Sequence, residues 1–399
     1  MEKIRIPLLN DRHTHVSFYA ALGAAVDLSG CSTLGGALEA LAAGPGPLIA
    51  ARGWKDNLYD LPRADLDRLP PAAVCNISLH SFRLNSGARD LLRRGHPEIV
   101  ANIDDQDWVE RHLPDLFELF TLAGGAAGIP AFMDGLARQG VWAAADMLVS
   151  SDEAALALMD KYPGRAGLWA SRAGLEKLGP AARSALLGIK LFADGALGAR
   201  SAALKTPYLD AGTGVLLHTA EGLRTMLEEA AALAGGAAVH AIGDAALDLA
   251  LDALEGARAS AGPFRARIEH AQLITRAQAL RARRLGVTLC MQPNFSGDSV
   301  CYADRLPAAY LPLNNPFRML IDEAGFVPGA DLVFGSDGMP HGAEEALRSA
   351  LFPPYPGQRL TLGEFTAGYC LPDLSAGHID AEIDAAAREV RVSVSLKEW

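Results

Sequence analysis

The stretch "AAVHAIGDAALDLALDALEGARASAGPFRARIEHAQLITRAQALRARRLGVTLCMQP", residues 237–293, decides the fold class of this chain. Its three short apolar runs, "AAVHAIGD", "ARIEHAQ" and "VTLCMQP", are typical of strands, and two Ala/Leu-rich segments with a helical pattern separate them. Strands that alternate with helices of this length indicate βα units around a parallel sheet. The stretch therefore predicts an α/β fold, and in a (β/α)8 barrel the carboxyl ends of such strands carry the active site.

The same alternation extends through most of the chain. Other strand candidates are "PLIAARGW", "AVCNISLH", "GVWAAADMLV", "AGLWAS", "GIKLFADG" and "DLVFGSDG". The 399 residues are half apolar, which is enough to bury a large core. Length alone favours two or three domains, but one α/β barrel with insertions can also be this long.

Composition and charge exclude several classes of partner. The formal net charge is -11, which argues against binding to nucleic acid or an acidic membrane surface. The five cysteines form no CxxC pair, which favours a reducing compartment over a disulfide framework. The amino terminus has no apolar signal region, and the most apolar segment, residues 116–133, contains a glutamate, paired glycines and a proline. We therefore expect a cytoplasmic protein that does not span a membrane.

Ligand-type side chains stand near the ends of the predicted strands. In "LLNDRHTHVSF", residues 8–18, alternation places His13 and His15 on one side of a strand, although such a pair alone is weak evidence for a metal. The ends of four further apolar runs carry Lys190, His240, His270 and Asp337. Imidazole and carboxylate groups suit Zn²⁺, Fe²⁺ or Mn²⁺. Together these six residues predict a metal site at one end of the sheet.

Longer motifs then carry a family resemblance. They are "KLFADGALGARSAALKTPY" (190–208), "VHAIGDAALDLALDALE" (239–255), "RIEHAQLI" (267–274), "MQPNF" (291–295) and "FGSDGMP" (334–340). With the order His-x-His, Lys, His, His, Asp, they resemble the amidohydrolase superfamily, and within it amidohydrolase family 3. That family contains N-substituted formamide deformylases and many metal-dependent hydrolases of unknown substrate. The resemblance covers roughly residues 8–370.

The resemblance implies a (β/α)8 TIM barrel and assigns its strands. His13 and His15 become metal ligands of the first strand, and Lys190, His240, His270 and Asp337 become the metal-site residues of the fourth, fifth, sixth and eighth. "GVWAAADMLV" and "AGLWAS" become the second and third strands. The implied division is residues 1–24 as the start of the barrel, 25–125 as a large insertion over the active-site face, 126–375 as the rest of the barrel and 376–399 as a carboxyl-terminal tail.

Two features of the resemblance concern regions outside the barrel. A segment of the insertion, "LHSFRLNSGA" (79–88), hangs over the pocket in the family, which makes His80 and Asn85 candidate substrate contacts; a turn histidine and a helix cap explain them about as well. Family members usually carry an accessory β-sandwich, whereas here His13 is near the amino terminus and only "REVRVSVSL" follows as a strand candidate. We therefore expect the sandwich to be largely absent, and a homodimer to cover the exposed barrel face.

The resemblance implies hydrolysis of a C–N, amide-type bond of a small molecule, other than a peptide bond. A divalent cation, Zn²⁺ by preference and one or two ions, would lower the pKa of bound water from 15.7 to about 7. Asp337 would take the proton of the water as general base and return it to the leaving amine as general acid. The resemblance also implies an N6-carboxylysine at Lys190, because relatives with a lysine at this strand often carry that modification.

Three further residues are candidates for orienting metal ligands or contacting the substrate. Asp194 and Asp244 follow two of the ligand strands and are candidates for orienting ligands, although loop capping explains them nearly as well. Gln292 is a candidate substrate contact at the pocket mouth. Alternative functions are a deaminase of the same superfamily, an ester or phosphoester hydrolase, and a catalytically silent barrel. The deaminase is less favoured because "HAIGDAA", from His240 onward, lacks the glutamate of that class.

Overall fold

The structure, a computed structural model, describes residues 2–44, 46–56, 58–76, 81–105, 108–109 and 112–397. Its strands are β1 (Glu2–Pro7), β2 (Leu9–Thr14), β3 (Val26–Asp27), β4 (Ile49–Trp54), β5 (Ala72–Asn76), β6 (Phe82–Leu84), β7 (Val141–Asp146), β8 (Ala166–Ala170), β9 (Leu186–Phe192), β10 (Gly236–Ala241), β11 (Arg265–His270), β12 (Thr288–Met291), β13 (Leu332–Phe334), β14 (Gly377–Asp384) and β15 (Glu389–Leu396).

The α-helices of the described residues lie between these strands. They are Val16–Ala24, Leu34–Ala42, Arg63–Leu66, Ser86–Leu92, Pro97–Asn102, Leu113–Gly124, Ile129–Arg138, Asp152–Lys161, Arg172–Lys177, Pro180–Ala185, Ala220–Ala234, Asp244–Ala261, Arg276–Arg284, Asp298–Cys301, Ala343–Leu351 and Leu362–Tyr369. Within the described ranges, no helix combines the length and the apolar character that a bilayer crossing needs. By its internal contacts the chain divides into one unit of Met1–Val16 with Met133–Trp399 and a second unit of Ser17–Phe132.

Eight parallel strands of the first unit form the barrel. Their order is β2-β7-β8-β9-β10-β11-β12-β13, so each strand pairs with the next one along the chain. Hydrogen bonds close the seam between β13 and β2: the amide of Asp337 donates to the carbonyl of His13 over 2.7 Å. The amide of Ser336 donates to Oδ1 of Asp11 over 2.9 Å. The predicted (β/α)8 barrel and the assignment of its eight strands are therefore confirmed.

Local sequence explains why these segments alternate. Strand β10 is buried at nearly every position, as expected for a parallel strand that is covered on both faces. The next helix along the chain, Asp244–Ala261, buries a face of alanine and leucine. Thr275 begins the helix Arg276–Arg284 with a capping box, in which its hydroxyl accepts from the amide of Gln278 and the side chain of Gln278 accepts from the amide of Thr275. Such a cap fixes the residue at which the helix after a strand begins.

The second unit contains a separate four-stranded sheet of order β3-β4-β5-β6. Its first three strands are parallel and β6 is antiparallel. The strand candidates "PLIAARGW" and "AVCNISLH" correspond to β4 and β5, with the end of the latter string outside the described residues. The core includes the fully buried Trp54, whose indole N–H donates to the carbonyl of Tyr59 over 2.9 Å. The bounds of this unit, Ser17–Phe132, are wider than the insertion expected at residues 25–125.

The carboxyl-terminal residues correct one expectation. Most of the segment expected as a tail, residues 376–399, is structured: β14 and β15 pair with each other and β14 pairs with β1, all antiparallel, in a three-stranded sheet. We call this sheet the outer sheet. Every second residue of β14 is buried, as in a sheet with one covered face. This strand was not predicted, because Ile379 and Ile383 are the only large apolar residues in "GHIDAEID". Some β-structure outside the barrel is therefore present, although we expected the accessory β-sandwich to be largely absent.

The outer sheet packs at the amino ends of the barrel strands. Ile379 of β14 is fully buried, and a Cβ built on Gly140 would lie 3.2 Å from it. Gly140 directly precedes β7, and its carbonyl accepts from the amide of Leu9 at the start of β2. The outer sheet and the ends of the strands that carry the predicted ligands thus lie at opposite ends of the barrel.

Candidate metal centre

The six predicted metal-site residues lie at the carboxyl ends of five barrel strands. His13 is the penultimate residue of β2 and His15 lies just beyond the strand. Lys190 and His240 lie near the ends of β9 and β10, His270 ends β11, and Asp337 follows β13. Strand β2 buries His13 completely, and Lys190 and His270 are only 2% exposed. The fold therefore gathers these six polar side chains at one end of the barrel.

Distances within the group show direct contact. The ring centroids of His13 and His270 are 4.7 Å apart, and those of His240 and His270 are 4.4 Å apart. Oδ1 of Asp337 lies 3.5 Å from Nε2 of His13 and 3.2 Å from Nε2 of His15. One ligand atom from each of His13, His270 and Asp337 lies within 4.8 Å of the others. This is the spacing of donor atoms that one ion could bridge.

The donor set also fits a metal by what it leaves unsatisfied. Nε2 of His13 and Nδ1 of His15 are buried and have no hydrogen-bond partner among the described residues. A buried polar atom without a partner is costly unless something absent from the coordinates satisfies it. Imidazole nitrogen and carboxylate oxygen are the ligands that Zn²⁺ takes in catalytic sites. The residues present therefore fit a divalent cation.

Three of the histidines are anchored through one ring nitrogen. His13 Nδ1 donates to Oε2 of Glu269 over 2.5 Å, and His270 Nδ1 donates to Oε1 of Gln292 over 2.8 Å. His240 Nε2 donates to the carbonyl of Gly195 over 3.0 Å. A ring that donates through one nitrogen keeps a lone pair on the other. The nitrogens left to bind a cation are Nε2 of His13, Nδ1 of His240 and Nε2 of His270.

Burial sets the protonation of these groups. It lowers the pKa of His13 and His270 well below 6.5 and that of His240 to about 4, and the charge of Lys190 adds to the effect on His13 and His240. Burial would raise the pKa of Asp337, but His13 and His15 outweigh it and lower this pKa to about 2. Neutral imidazoles beside an ionised carboxylate are the states in which these side chains bind a metal.

Lys190 lies in the same environment. Its Nζ is 5.1 Å from the centroid of the Phe192 ring. Burial lowers the pKa of Lys190 to about 8, although Glu269 and Asp337 act to raise it. The neutral amine of this lysine is therefore far more accessible near neutral pH than that of a surface lysine.

Two of the ligand positions have left-handed backbone. The φ angles are +70° at His270, +47° at Ala271 and +55° at Asp337. Residues other than glycine rarely adopt positive φ, and such positions cluster at functional sites. His270 follows Glu269 directly, so regular alternation would direct their side chains to opposite faces. The left-handed turn at the end of β11 lets both residues serve the same cluster.

Two candidate substrate contacts bind other protein groups in the structure, and their role toward a substrate stays a prediction. Gln292 is completely buried and binds His270 through its side-chain oxygen, so it orients a ring within the barrel end. Asn85 caps the helix Ser86–Leu92: its oxygen accepts from the amides of Ala72 and Ala88, and its NH₂ group donates to two backbone carbonyls. No polar atom of Asn85 is left for a substrate. His80 lies outside the described residues.

The two aspartates that follow ligand strands bind backbone amides. Asp194 accepts from the amides of Ala203, Ile242 and Gly243, and its Oδ1 also lies 3.5 Å from Nε2 of His240. An orienting role toward His240 therefore stays a proposal for Asp194. The oxygens of Asp244 accept from the amide of Lys205 and the hydroxyl of Tyr310, so Asp244 ties loops together.

Sequence reasoning missed several neighbours of the cluster. Glu269 binds His13, and Arg267 makes two hydrogen bonds to Glu269. Nε2 of His341 lies 2.7 Å from Oγ1 of Thr14, and burial lowers the pKa of His341 to about 4. The i, i+2 spacing of Arg267 and Glu269 within an apolar strand was a usable signal, because it places two charged side chains on one buried face.

These features define a class: a (β/α)8 barrel with a cluster of histidines, a lysine and an aspartate at the carboxyl ends of its strands, with donors for a divalent cation. The chain belongs to the amidohydrolase family, whose model matches residues 3–343. It is 28% identical over 348 residues to a Bacillus subtilis (strain 168) protein named "Putative amidohydrolase YtcJ", an alignment that covers 76% of this chain and 65% of that protein. The chain therefore spans less than two thirds of this relative.

Solved structures resemble the chain more completely. An uncharacterized metal-dependent hydrolase from Pyrococcus furiosus matches with a TM-score of 0.69 and 25% identity, over 92% of this chain and 80% of that one. An uncharacterized metal-dependent hydrolase from Pyrococcus horikoshii OT3 matches with a TM-score of 0.68 and 26% identity, over 88% and 74% of the two chains. Both likenesses extend beyond the barrel strands to most of the chain.

Proposed function

We propose that this protein is a metal-dependent hydrolase that cleaves an amide-type C–N bond, other than a peptide bond, in a small molecule. The observation that carries the proposal is the convergence of ligand atoms from His13, His270 and Asp337 within 4.8 Å of one another. Nε2 of His13 and Nδ1 of His15 are buried there without a hydrogen-bond partner among the described residues. The two Pyrococcus structures, named as metal-dependent hydrolases, support it. Zn²⁺ is the cation that this nitrogen-rich donor set favours.

The residues divide the work between holding and proton transfer. A divalent cation at this site would supply Lewis acidity and make water ionisable near neutral pH. His13, His240 and His270 would hold it as neutral rings, since burial lowers their pKa values. Asp337 is ionised and touches both residues of the His-x-His pair, so it is placed to accept the proton of the attacking water. It then donates that proton to the nitrogen of the leaving amine.

Lys190 is proposed to bind CO₂ as a carbamate. Its neutral amine attacks the carbon of CO₂, an N–C bond forms, and one proton leaves for solvent. The lowered pKa of Lys190, about 8, supports the step because only the neutral amine reacts. The resulting anionic oxygens could hold a second cation. A carbon-13 bicarbonate NMR signal that Lys190→Ala removes would support the proposal, and short carboxylic acids should rescue that variant. A bare ammonium paired with a carboxylate in fully metallated protein would overturn it.

The alternatives use the same residues on other bonds. A deaminase, an ester hydrolase or a phosphoester hydrolase could share this ligand set, which does not name the bond. A catalytically silent barrel is less favoured, because each expected ligand position holds a competent side chain. The proposal is tested by loading purified protein with Zn²⁺ or Mn²⁺, measuring bound metal, and screening N-formyl, N-acyl, lactam, ester and phosphoester compounds.

The outcomes of that screen separate the readings. Bound metal with Asp337-dependent release of an amine from an N-acyl or N-formyl compound supports the proposal. Turnover confined to esters or phosphoesters overturns the bond assignment. Protein that binds no metal from excess overturns the metal site itself. The homodimer and the cytoplasmic location stay predictions; a monomer across micromolar concentrations in sedimentation would contradict the first.

A further inference from the structure

One carboxylate lies against the cluster without facing its centre. Glu269 is completely buried on β11 and directs Oε2 to Nδ1 of His13 at 2.5 Å. His13 belongs to β2, and β2 and β11 are not neighbours in the sheet, so this contact joins two separate strands across the barrel. A buried carboxylate is stable only where other groups compensate its charge.

Arg267 provides that compensation. Its Nε donates to Oε1 of Glu269 over 2.8 Å and its Nη2 donates to Oε2 over 2.9 Å. The same Nη2 also donates to the carbonyl of Arg12 over 3.0 Å, and the guanidinium lies 4.9 Å from the ring of Trp169. A two-point contact between arginine and carboxylate fixes geometry as well as charge. Glu269 is therefore held in one position before it meets His13.

The other anchored histidines differ from His13 in one respect. His240 donates to a backbone carbonyl and His270 donates to a side-chain amide, both of which are neutral. Only for His13, among these three rings, is the acceptor a carboxylate. A carboxylate acceptor draws the Nδ1 proton away from the ring, which makes the opposite nitrogen a stronger donor.

We infer that Glu269, held by Arg267, is a positioning residue for the metal centre. It fixes the Nδ1–H tautomer of His13, aims Nε2 at the cation and raises the strength with which His13 binds it. This inference rests on the proposed function, and it adds that metal affinity is set by a charged pair that does not itself bind the cation.

A competing arrangement uses the same atoms. One ligand atom from each of His13, Glu269 and Cys290 also lies within 4.8 Å of the others, so a cation could in principle bind on that side of the ring. Arg267 argues against it, because its guanidinium already donates to both oxygens of Glu269. Burial moreover raises the pKa of Cys290 well above 9, which disfavours the thiolate that a metal needs. The two arrangements differ in whether substitution of Cys290 should change metal affinity.

The test measures metal affinity by chelator competition and the visible spectrum of the Co²⁺-substituted protein. The variants are Glu269→Gln, the double variant Arg267→Met with Glu269→Gln, which leaves no unpaired buried charge, and Cys290→Ser. The matched control is Asp244→Asn, a buried carboxylate that joins loops at the same end of the barrel. Thermal unfolding of the metal-free forms reports whether each variant is folded.

We expect metal affinity to fall about 10- to 100-fold in the folded Glu269 variants, with an altered Co²⁺ spectrum, and to stay within about threefold for Asp244→Asn and Cys290→Ser. The double variant decides the case if Glu269→Gln alone does not fold. Unchanged affinity and spectrum in the double variant would overturn the inference while leaving the proposed function intact. A loss with Cys290→Ser as large as with Glu269→Gln would place the cation on the other side of His13. Wild-type protein without metal affinity would overturn the proposed function instead.

Discussion

The two ends of the barrel treat charged side chains in opposite ways. At the carboxyl ends of the strands, Asp337 and Glu269 are enclosed with neutral histidines and an arginine. In the outer sheet at the amino ends, Arg5 pairs with Asp380 and Lys3 pairs with Glu382 on a surface open to solvent. Exposed pairs contribute little to stability, whereas buried ones shift pKa values and constrain geometry. The difference indicates that one end serves chemistry and the other covers the core.

The largest expected effect tests the chemical end directly. Asp337→Asn should lower kcat at least about 100-fold on any substrate found, because the amide can still offer an oxygen but cannot accept a proton. The control is Asp380→Asn in the outer sheet, which should leave kcat unchanged. The measurement is steady-state turnover by fully metallated protein. An Asp337→Asn variant within a few-fold of wild type would place the base elsewhere.

Metal removal should change stability through the same end. A cation that binds only the folded chain stabilises it by about 2.7 kcal/mol when its free concentration is 100 times Kd. Treatment with a chelator should therefore lower the unfolding midpoint of metallated wild type. The shift should be equally large in Asp380→Asn and smaller in His270→Ala, which lacks one ligand. A metallated wild type that is indifferent to the chelator would contradict the comparison.

A substitution at the opposite end should act on stability alone. Gly140 has φ +85°, and a Cβ there would lie 2.9 Å from Cβ of Ala343 and 3.2 Å from Ile379. Gly140→Ala should cost about 1–3 kcal/mol of unfolding free energy from crowding and backbone strain. Gly164→Ala is the matched control, since Gly164 has φ +73° but open space around it, and it should cost less.

The kinetic readout completes that comparison. Both glycine variants should retain wild-type kcat at a temperature where they are folded, because neither residue touches the metal centre. Chemical denaturation measures the difference in unfolding free energy between the variants, and steady-state turnover measures their kcat. Gly140→Ala that lowers kcat without lowering stability would show that the two ends of the barrel are coupled.

The sequence predicted the barrel well and its cross-strand contacts poorly. Strand periodicity and the order of ligand-type residues placed His13, Lys190, His240, His270 and Asp337 on the right strands, since these signals are local or follow the family resemblance. Partners that are distant in sequence are set by the closed barrel and not by spacing. For that reason pairing between strands, such as that of Glu269 with His13 or of Gln292 with His270, was not predicted.

Part of the outer sheet was missed for a different reason: β15 corresponds to the strand candidate "REVRVSVSL", but β14 was not predicted. Alternation in "GHIDAEID" places charged residues on the exposed face of β14, but Ile379 and Ile383 are the only large apolar residues on its covered face, which makes the strand signal weak. Its pairing with β1, at the other end of the chain, cannot be read from either segment alone. Left-handed backbone at His270 and Asp337 was equally invisible, because neither residue type demands positive φ.

The smallest expected effect concerns how stability depends on pH. The contributions of two aspartates, Asp298 and Asp380, should change with pH in opposite directions. Burial raises the pKa of Asp298, beyond β12, to about 6, although a hydrogen bond from Gln272 opposes it. The folded chain therefore holds this proton more tightly than the unfolded chain, and the stability that the protonated group contributes is lost as pH rises from about 4 through about 6. Asp298→Asn should consequently gain stability relative to wild type between pH 4 and pH 7, by at most about 3 kcal/mol for a pKa raised from 3.8 to about 6.

Asp380 in the outer sheet should behave in the opposite way. Its hydrogen bond with Arg5 lowers the pKa of Asp380, so its contribution is present above the unfolded pKa and is lost as pH falls. Asp380→Asn should therefore be slightly less stable than wild type at pH 7, and the difference should vanish toward low pH and shrink in high salt. Urea unfolding of metal-free protein across this pH range measures both curves. Two curves of the same sign would show that burial does not separate the two ends of the barrel as argued.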